Sequence, residues 1–368
     1  MKNILYIGPY KENTGLGRSA RRYVDAIGYN FNINLTIRPV YFTPHLDYGN
    51  EAGKDYTEFE ENNFKSYDMV IQHGFPECFD YRSDFGENIG IVDIDTLNIQ
   101  HTGWAERMNM MDRIIVGSNW SKRSALEAGC ETRVDVLPEP FDLDKFHKEY
   151  NPIFEEKDPS FKFYFIGKHY DKNNIKALLA AFLLEFDKND NVKLIIKTDL
   201  PDFDDQQSKQ IITADTNAVE KSLRIQNSEV NQPNIIVGYY EQDYILRLHQ
   251  QCDCYVNVCK AESFGPSAIE SMLFKNLTIT NSGIGSNTYI NKGNGYVIDS
   301  FLNNVYSKDF YMENTYTIHE QWHEPYLDSI RQNMRKAYEA TDEEKERKNS
   351  NFNEQIFSEE SFIERLLA

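Results

Sequence analysis

The residues best suited to chemistry lie between Cys252 and Glu270, in the run CDCYVNVCKAESFGPSAIE. Tyr255, Val256 and Val258 make a short β-rich stretch with few polar interruptions, which predicts a strand buried on both faces. The stretch breaks at Lys260-Ala261-Glu262 into the small turn Ser263-Phe264-Gly265, and Pro266 opens a helical pattern over 267–274. Proline suits a first helical position, where its fixed φ fits and its missing N–H costs nothing. Strand, tight loop and helix start together aim backbone N–H groups and the positive end of a helix dipole at whatever occupies the loop. Glu262 closes the strand, and Glu270 lies one turn into the helix below Pro266. An ionised carboxylate offers only acceptors, so this pair suits vicinal hydroxyls better than a phosphate. An N–H cradle beside two hydroxyl-seeking carboxylates describes a site for a sugar nucleotide.

Positioning such a site takes a sheet, and the chain supplies two. Apolar runs at 4–7, 33–41, 69–74, 89–94, 113–116 and 133–137 predict six strands in the first half, separated by helical patterns such as 19–27. Runs at 161–166, 192–197, 235–238, 277–280 and 296–298, with the central one, predict six more. Between them residues 175–186 carry helical spacing at Ile175, Leu178, Leu179, Phe182 and Leu183, and 199–231 reads as a long polar helical insertion. Strands alternating with helices in both halves imply two parallel α/β domains, whose loops at the strand C-terminal ends would face each other across a cleft. The expected organisation is 1–148 as an N-terminal Rossmann-like domain, a linker at 149–160, and 161–345 as the C-terminal donor domain. Residues 346–368 form a helical segment crossing back, with an apolar stripe at Phe362, Ile363, Leu366 and Leu367 and Ser358 as its cap. The polar stretch 45–64 reads as a surface segment.

The spacing Glu262-x7-Glu270, with Phe264-Gly265 inside it, resembles the E-x7-E motif of retaining GT-B glycosyltransferases, family 4 in particular. On spacing alone such a pair is common; the strand before it, the Gly-Pro helix start after it and its place late in the chain make it specific. Further upstream, Leu137-Pro138-Glu139-Pro140-Phe141-Asp142 through Phe146 resembles a segment of the mannosyltransferase-like members, with Pro140-Phe141 where that family usually has Gly-Val or Gly-Ile. A glycine-rich loop, Gly8 to Arg18, resembles the one after the first GT-B strand; its spacing is no dinucleotide fingerprint.

The resemblance implies roles residue by residue. Glu262 contacts the donor sugar at the reacting face, with the backbone of Ser263, Phe264, Gly265 and Pro266 along it, and Glu270 accepts from the ribose hydroxyls. Lys168 takes the place of an arginine that neutralises the diphosphate. The slot for a second cation holds Asn173, with Lys172 one residue away. Gly15 and Gly17 allow close approach from the other domain. His101 positions the acceptor, and His73 has a lesser claim to the same task. Asp93-Ile94-Asp95 is a D-x-D triplet of the kind that holds a divalent metal in another glycosyltransferase class; no metal ligand is assigned here, and no cofactor.

The expected reaction is retaining, metal-independent hexosyl transfer by same-face attack. The substrates are a UDP-, GDP- or ADP-sugar and a hydroxyl acceptor: a glycan, lipid-linked, protein or small molecule. The alternatives are a non-catalytic GT-B subunit that binds nucleotide or sugar, and another GT-B reaction such as a nucleotide-sugar epimerase. A formal net charge of −19 argues against a polyanionic partner such as nucleic acid. Five cysteines without a C-x-x-C pair suggest a reducing compartment, and no apolar run reaches the roughly 18 residues of a spanning helix. With no signal peptide in MKNILYIGPY, the expected location is cytoplasmic.

Overall fold

A computed structural model describes residues 1–42, 55–154, 158–200, 203–225, 230–306 and 316–368. The chain divides into two compact units, Met1–Leu143 with Glu354–Ala368, and Asp144–Asn353.

The first unit is built on six parallel strands: β1 (Lys2–Gly8), β2 (Ile33–Pro39), β3 (Met69–His73), β4 (Glu87–Ile91), β5 (Arg113–Val116) and β6 (Val134–Val136). Their order is β2-β1-β3-β4-β5-β6, so the chain starts inside the sheet and winds outward in both directions. Ile4, Tyr6, Ile37, Ile71, Ile89 and Ile115 are fully buried, which is why these runs carry little polar alternation. Each aliphatic side chain so buried contributes about 1.5–3 kcal/mol. Helix α1 (Gly15–Gly28) starts at Thr14, whose side chain accepts from Gly17 N, and turns Ala20, Tyr23, Val24 and Ile27 into the core. Three shorter helices follow: α2 (Thr57–Glu61), α3 (Trp104–Met108) and α4 (Asn119–Glu127). The surface segment expected at 45–64 lies in its first part outside the described residues. Its remainder holds α2, which is not wholly superficial, since Phe59 packs in the core.

The second unit repeats the plan. Its elements are β7 (Phe161–Ile166), α5 (Ile175–Glu185), β8 (Val192–Thr198), α6 (Asp205–Leu223), β9 (Asn234–Val237), α7 (Gln242–Gln251), β10 (Cys254–Asn257), α8 (Pro266–Leu273), β11 (Leu277–Asn281) and β12 (Tyr296–Ile298). The parallel order is β12-β11-β10-β7-β8-β9. The winding direction therefore reverses between neighbours β7 and β10, and loops leaving the strand C-termini at such a point are where open α/β sheets bind ligands. Lys168 follows β7, and Glu262 follows β10. Helix α6 is shorter than the polar insertion expected at 199–231, and begins in a capping box between Asp204 and Gln207. Parts of that insertion, and of the linker expected at 149–160, lie outside the described residues.

An antiparallel pair, β13 (Ser300–Asn304) and β14 (Gln321–Pro325), follows β12 and was not foreseen. Helices α9 (Leu327–Tyr338) and α10 (Asp342–Ser350) complete this unit. The chain then returns to the first unit in α11 (Glu359–Leu367), capped by Ser358 through Ser361 N. Phe362, Ile363 and Leu366 join the first core, with the Phe362 ring 5.2 Å from that of Tyr23 on α1. Arg113, almost fully buried, donates to the carbonyl of Leu366 at 2.8 Å and pairs with Glu87 at 3.1 Å. Among the described residues no helix is long and apolar enough to cross a membrane.

Candidate functional site

Strand β10 ends at Asn257, a fully buried amide that decides the geometry after it. Its Nδ2 donates to Glu262 Oε2 at 2.7 Å, and its Oδ1 accepts from Cys259 N at 3.2 Å. The Glu262 carboxylate is thereby drawn back towards the strand it follows. Gly265 has φ +88°, and a Cβ there would lie 2.8 Å from both Glu262 Oε2 and Ser286 Cβ. Only glycine lets α8 begin this close to the carboxylate. Gly265 is the N-cap residue, so no side chain caps the helix, and Pro266 takes its first position. The Phe264 ring is buried edge-on to Tyr289, 5.7 Å between centroids, which leaves its backbone rather than its ring for a ligand. The second glycine loop, after β11, supports the first: Gly285 N donates to Glu262 O at 2.8 Å, and a Cβ on Gly285 would collide with Ser263 O.

Lys260, given no role from sequence, ties the neighbourhood together. It is buried, with Nζ 3.3 Å from Asp171 Oδ1 and 3.2 Å from Glu324 Oε1, and it lies 4.7 Å from the centre of the Trp322 ring. Its backbone N–H donates to Lys172 O at 2.7 Å. One residue thus joins the loops after β7 and β10 to the β13–β14 pair. That pair also closes on the site through His323, whose N–H reaches Lys260 O at 2.9 Å and whose carbonyl accepts from Asn281 Nδ2 at 2.8 Å. Lys168 and Lys172 are half-buried, Lys172 within the single turn Asp171–Asn173. Asn173, in the slot where a second cation was expected, instead donates to Lys168 O at 2.6 Å and shapes that turn.

Glu270, on α8, is 3% exposed. Its Oε2 lies 3.2 Å from Nε2 of His249, and its Oε1 takes a longer contact of 3.4 Å from Gln242 Nε2. His249 carries no role from sequence; a histidine on the buried stripe of Ile245, Leu246 and Leu248 is the signal that marks it.

The fold gathers Glu262, Ser263, Phe264, Gly265, Pro266, Glu270, Lys168 and Lys172 at one edge of the second sheet. Gly15, Gly17 and His101 belong to the first unit. Gly15 opens α1, exposed, and a Cβ there would meet nothing within 4 Å. Gly17 is different: a Cβ there would lie 2.0 Å from Glu12 O, so its own loop requires the glycine. His101 is exposed, in the turn Gln100–Thr102. His73 is buried with Nδ1 2.7 Å from the Tyr6 hydroxyl, and desolvation pushes its imidazole down to about 3, so it stays neutral. Asp93 and Asp95 are half-buried beyond β4, and no group of three or more potential metal ligands converges among the described residues.

With this geometry in hand, the likeness to known proteins is informative. Residues 146–308 match the family model described as glycosyl transferases group 1. Solved structures match end to end: Alr3699/HepE of Anabaena with UDP and glucose, at 14% identity, covers 100% of this chain and 98% of its own with a TM-score of 0.63. An α,α-trehalose-phosphate synthase (UDP-forming) from Burkholderia xenovorans, in complex with glucose-6-phosphate, does so at 9% identity, 100% and 99% coverage and TM-score 0.69. A glycosyltransferase from Rickettsia africae ESF-5 does so at 12% identity, 100% and 97% coverage and TM-score 0.62. The fold is GT-B. No curated protein matches the chain. The two Rossmann-like sheets are those of a GT-B protein, and the matched family segment spans β7 to β13, the part of the GT-B chain that holds Glu262 and Glu270.

Proposed function

We propose that the protein is a retaining glycosyltransferase that moves a hexosyl group from a nucleoside-diphospho sugar to a hydroxyl acceptor, without a metal ion. What carries the reading is the pair Glu262 and Glu270 set across the Gly265-Pro266 helix start, inside the segment that matches the glycosyl transferases group 1 model. A GT-B relative solved with UDP and glucose, and another that is UDP-forming, support a nucleotide-sugar donor and make UDP the first nucleotide to try, before GDP and ADP. Five free cysteines fit the cytoplasmic location expected for such an enzyme.

In this reading Glu262 accepts from the sugar hydroxyls and Glu270 from the ribose, while the uncapped start of α8, Lys168 and Lys172 receive the diphosphate. Charge grows on the departing phosphate in the transition state, so groups fixed there before the reaction lower the barrier most. The bond from the anomeric carbon to the phosphate oxygen breaks. The acceptor oxygen bonds to the same face, and its proton passes to that phosphate oxygen. Gly15 leaves room for the donor, and His101 holds the acceptor. The acceptor is a hydroxyl compound, whether glycan, lipid-linked, protein or small molecule.

The deciding experiment offers UDP-, GDP- and ADP-hexoses with and without simple sugar acceptors and follows the first-formed product by NMR. An α-configured donor gives an α-linked product; a β-linked product excludes the same-face mechanism. Glu262→Gln lowers turnover more than UDP affinity, and loss of activity in EDTA that Mn²⁺ restores would return Asp93 and Asp95 to consideration. One observation favours a second reading, a binding subunit without turnover: Asn173 stands in the cation slot and is engaged with Lys168 O. Tight UDP binding with neither transfer nor slow donor hydrolysis would select it.

A further inference from the structure

Behind Glu270 runs a chain of polar groups, buried at its centre, that the reaction as proposed does not use. Asn276 Nδ2 donates to the Tyr164 hydroxyl at 2.9 Å and to the His249 carbonyl at 2.6 Å. The Tyr164 hydroxyl lies 2.7 Å from His249 Nδ1, and His249 Nε2 lies 3.2 Å from Glu270 Oε2. Tyr164 and His249 are both 0% exposed.

The proton inventory gives the chain a direction. A primary amide nitrogen only donates, so the Tyr164 oxygen accepts from Asn276 and has its single O–H to give to His249 Nδ1. Burial pushes the Tyr164 hydroxyl well above its usual range, so it keeps that proton. With Nδ1 accepting, the imidazole proton sits on Nε2, where it donates to the carboxylate; the network assigns this tautomer. The ring cannot turn away. It stacks on Phe274, 6.0 Å between centroids at 10°, and meets Tyr164 edge-on at 5.3 Å.

The two carboxylate oxygens therefore differ. Oε2 faces a fully buried donor. Oε1 faces Gln242, an exposed residue at the first position of α7, over 3.4 Å. The longer contact, from the more exposed side chain, is the one that ligand hydroxyls displace at least cost. We propose that His249, held by Tyr164, is the positioning residue of this site: it fixes Glu270 Oε2 so that Oε1 is presented to the ribose hydroxyls of the nucleotide. This rests on the reading of Glu270 as the ribose acceptor. It adds the device that fixes the carboxylate's orientation.

The test is UDP affinity by calorimetry on the full chain, with GDP and ADP as parallel arms and the melting temperature of each variant as the fold control. Glu270→Ala should weaken UDP about ten- to a hundredfold, and His249→Phe, which keeps a ring on Phe274, about tenfold. His249→Gln, which restores an amide donor towards Glu270, should recover most of the loss, and Tyr164→Phe should cost about threefold. The double variant His249→Phe/Glu270→Ala should bind UDP no more weakly than Glu270→Ala alone, because the histidine acts only through the carboxylate. A merely structural histidine gives additive losses and no rescue by glutamine, and either result overturns the proposal. If His249→Phe does not fold, His249→Gln and Tyr164→Phe still decide: wild-type affinity in Tyr164→Phe, or a full tenfold loss in His249→Gln, rejects it. Unchanged UDP affinity in folded Glu270→Ala defeats the underlying site reading. Weakened Glu270→Ala beside unaffected His249→Phe defeats this inference alone.

Discussion

Two loops of the molecule each leave an interior parallel strand beside the point where its sheet reverses winding, and they are finished in opposite ways. One leaves β1 and starts α1; the other leaves β10 and starts α8. Both are glycine-bearing and both follow a central parallel strand. In the first, side chains of the loop and of α1 itself close the helix start. Thr14 Oγ1 accepts from Gly17 N at 3.0 Å, the buried Glu12 carboxylate accepts from Phe42 N and from Thr14 Oγ1, and Arg21 Nη1 clamps the carbonyls of Tyr10 and Glu12 at 2.9 and 2.8 Å. In the second, the cap is Gly265, which has no side chain, and the nearest carboxylate, Glu262, is drawn back to Asn257. Glycine content does not make an anion cradle. What differs is whether a side chain caps the helix start, as Thr14 does for α1, or a glycine takes that place, as Gly265 does for α8.

Substitutions can break or sharpen this contrast. The largest effect is expected at Gly17→Ala, whose methyl would collide with Glu12 O. It should cost about 3 kcal/mol of stability, read as a lowered urea midpoint, while any UDP affinity that survives in the folded fraction is unchanged. The first unit should also carry an acid liability through His73. Its imidazole is held down to about 3 by burial against an ordinary value of 6.5. The unfolded chain therefore binds a proton that the folded chain refuses. The stability is fully present above the unfolded value and is lost as pH falls towards 3, amounting to about 3 kcal/mol at pH 4. His73→Gln should flatten that part of the stability curve in urea titrations at stepped pH.

In the second loop's unit the effects should fall on ligand rather than fold. Glu270→Ala should lose about 1.5–3 kcal/mol of nucleotide binding, ten- to a hundredfold in Kd, measured by titration calorimetry. The smallest stability change belongs to Gly15→Ala. It meets open space at a helix start and should stabilise the fold by about 0.5–1 kcal/mol. A fall in turnover in that variant would then report on donor approach, with melting curves ruling out damage to the fold; unaltered turnover removes Gly15 from the site.

Much of this was written in local sequence. The twelve parallel strands follow from short apolar runs, because a strand buried on both faces tolerates little else. Pro266 announced the start of α8, since proline fits a first helical turn and few other helical positions. The apolar stripe of Phe362, Ile363 and Leu366 announced a helix that must be buried, and Ser358 its cap. The apolar run before Glu262 and the Gly265-Pro266 helix start after it put Glu262 and Glu270 on either side of that start.

Tertiary structure decided the rest, for a common reason: the deciding partners are far apart in sequence and their side chains are ordinary. Ser300–Asn304 mixes exposed Phe301 and Leu302 with polar residues and pairs with residues some twenty positions on, so nothing local marks β13 and β14, or the grip of Glu324 and Trp322 on Lys260. Phe264 could have served as a ring for a ligand or as core; the fold buries it, edge-on to Tyr289. Gly15 and Gly17 look alike in sequence and differ because one faces open space and the other a carbonyl. The orientation of Glu270 depends on a histidine 21 residues before it and a tyrosine 85 residues before that histidine. A sequence can specify a helix start by local sterics, but the direction in which a buried carboxylate points is set by whichever donors the fold brings against it.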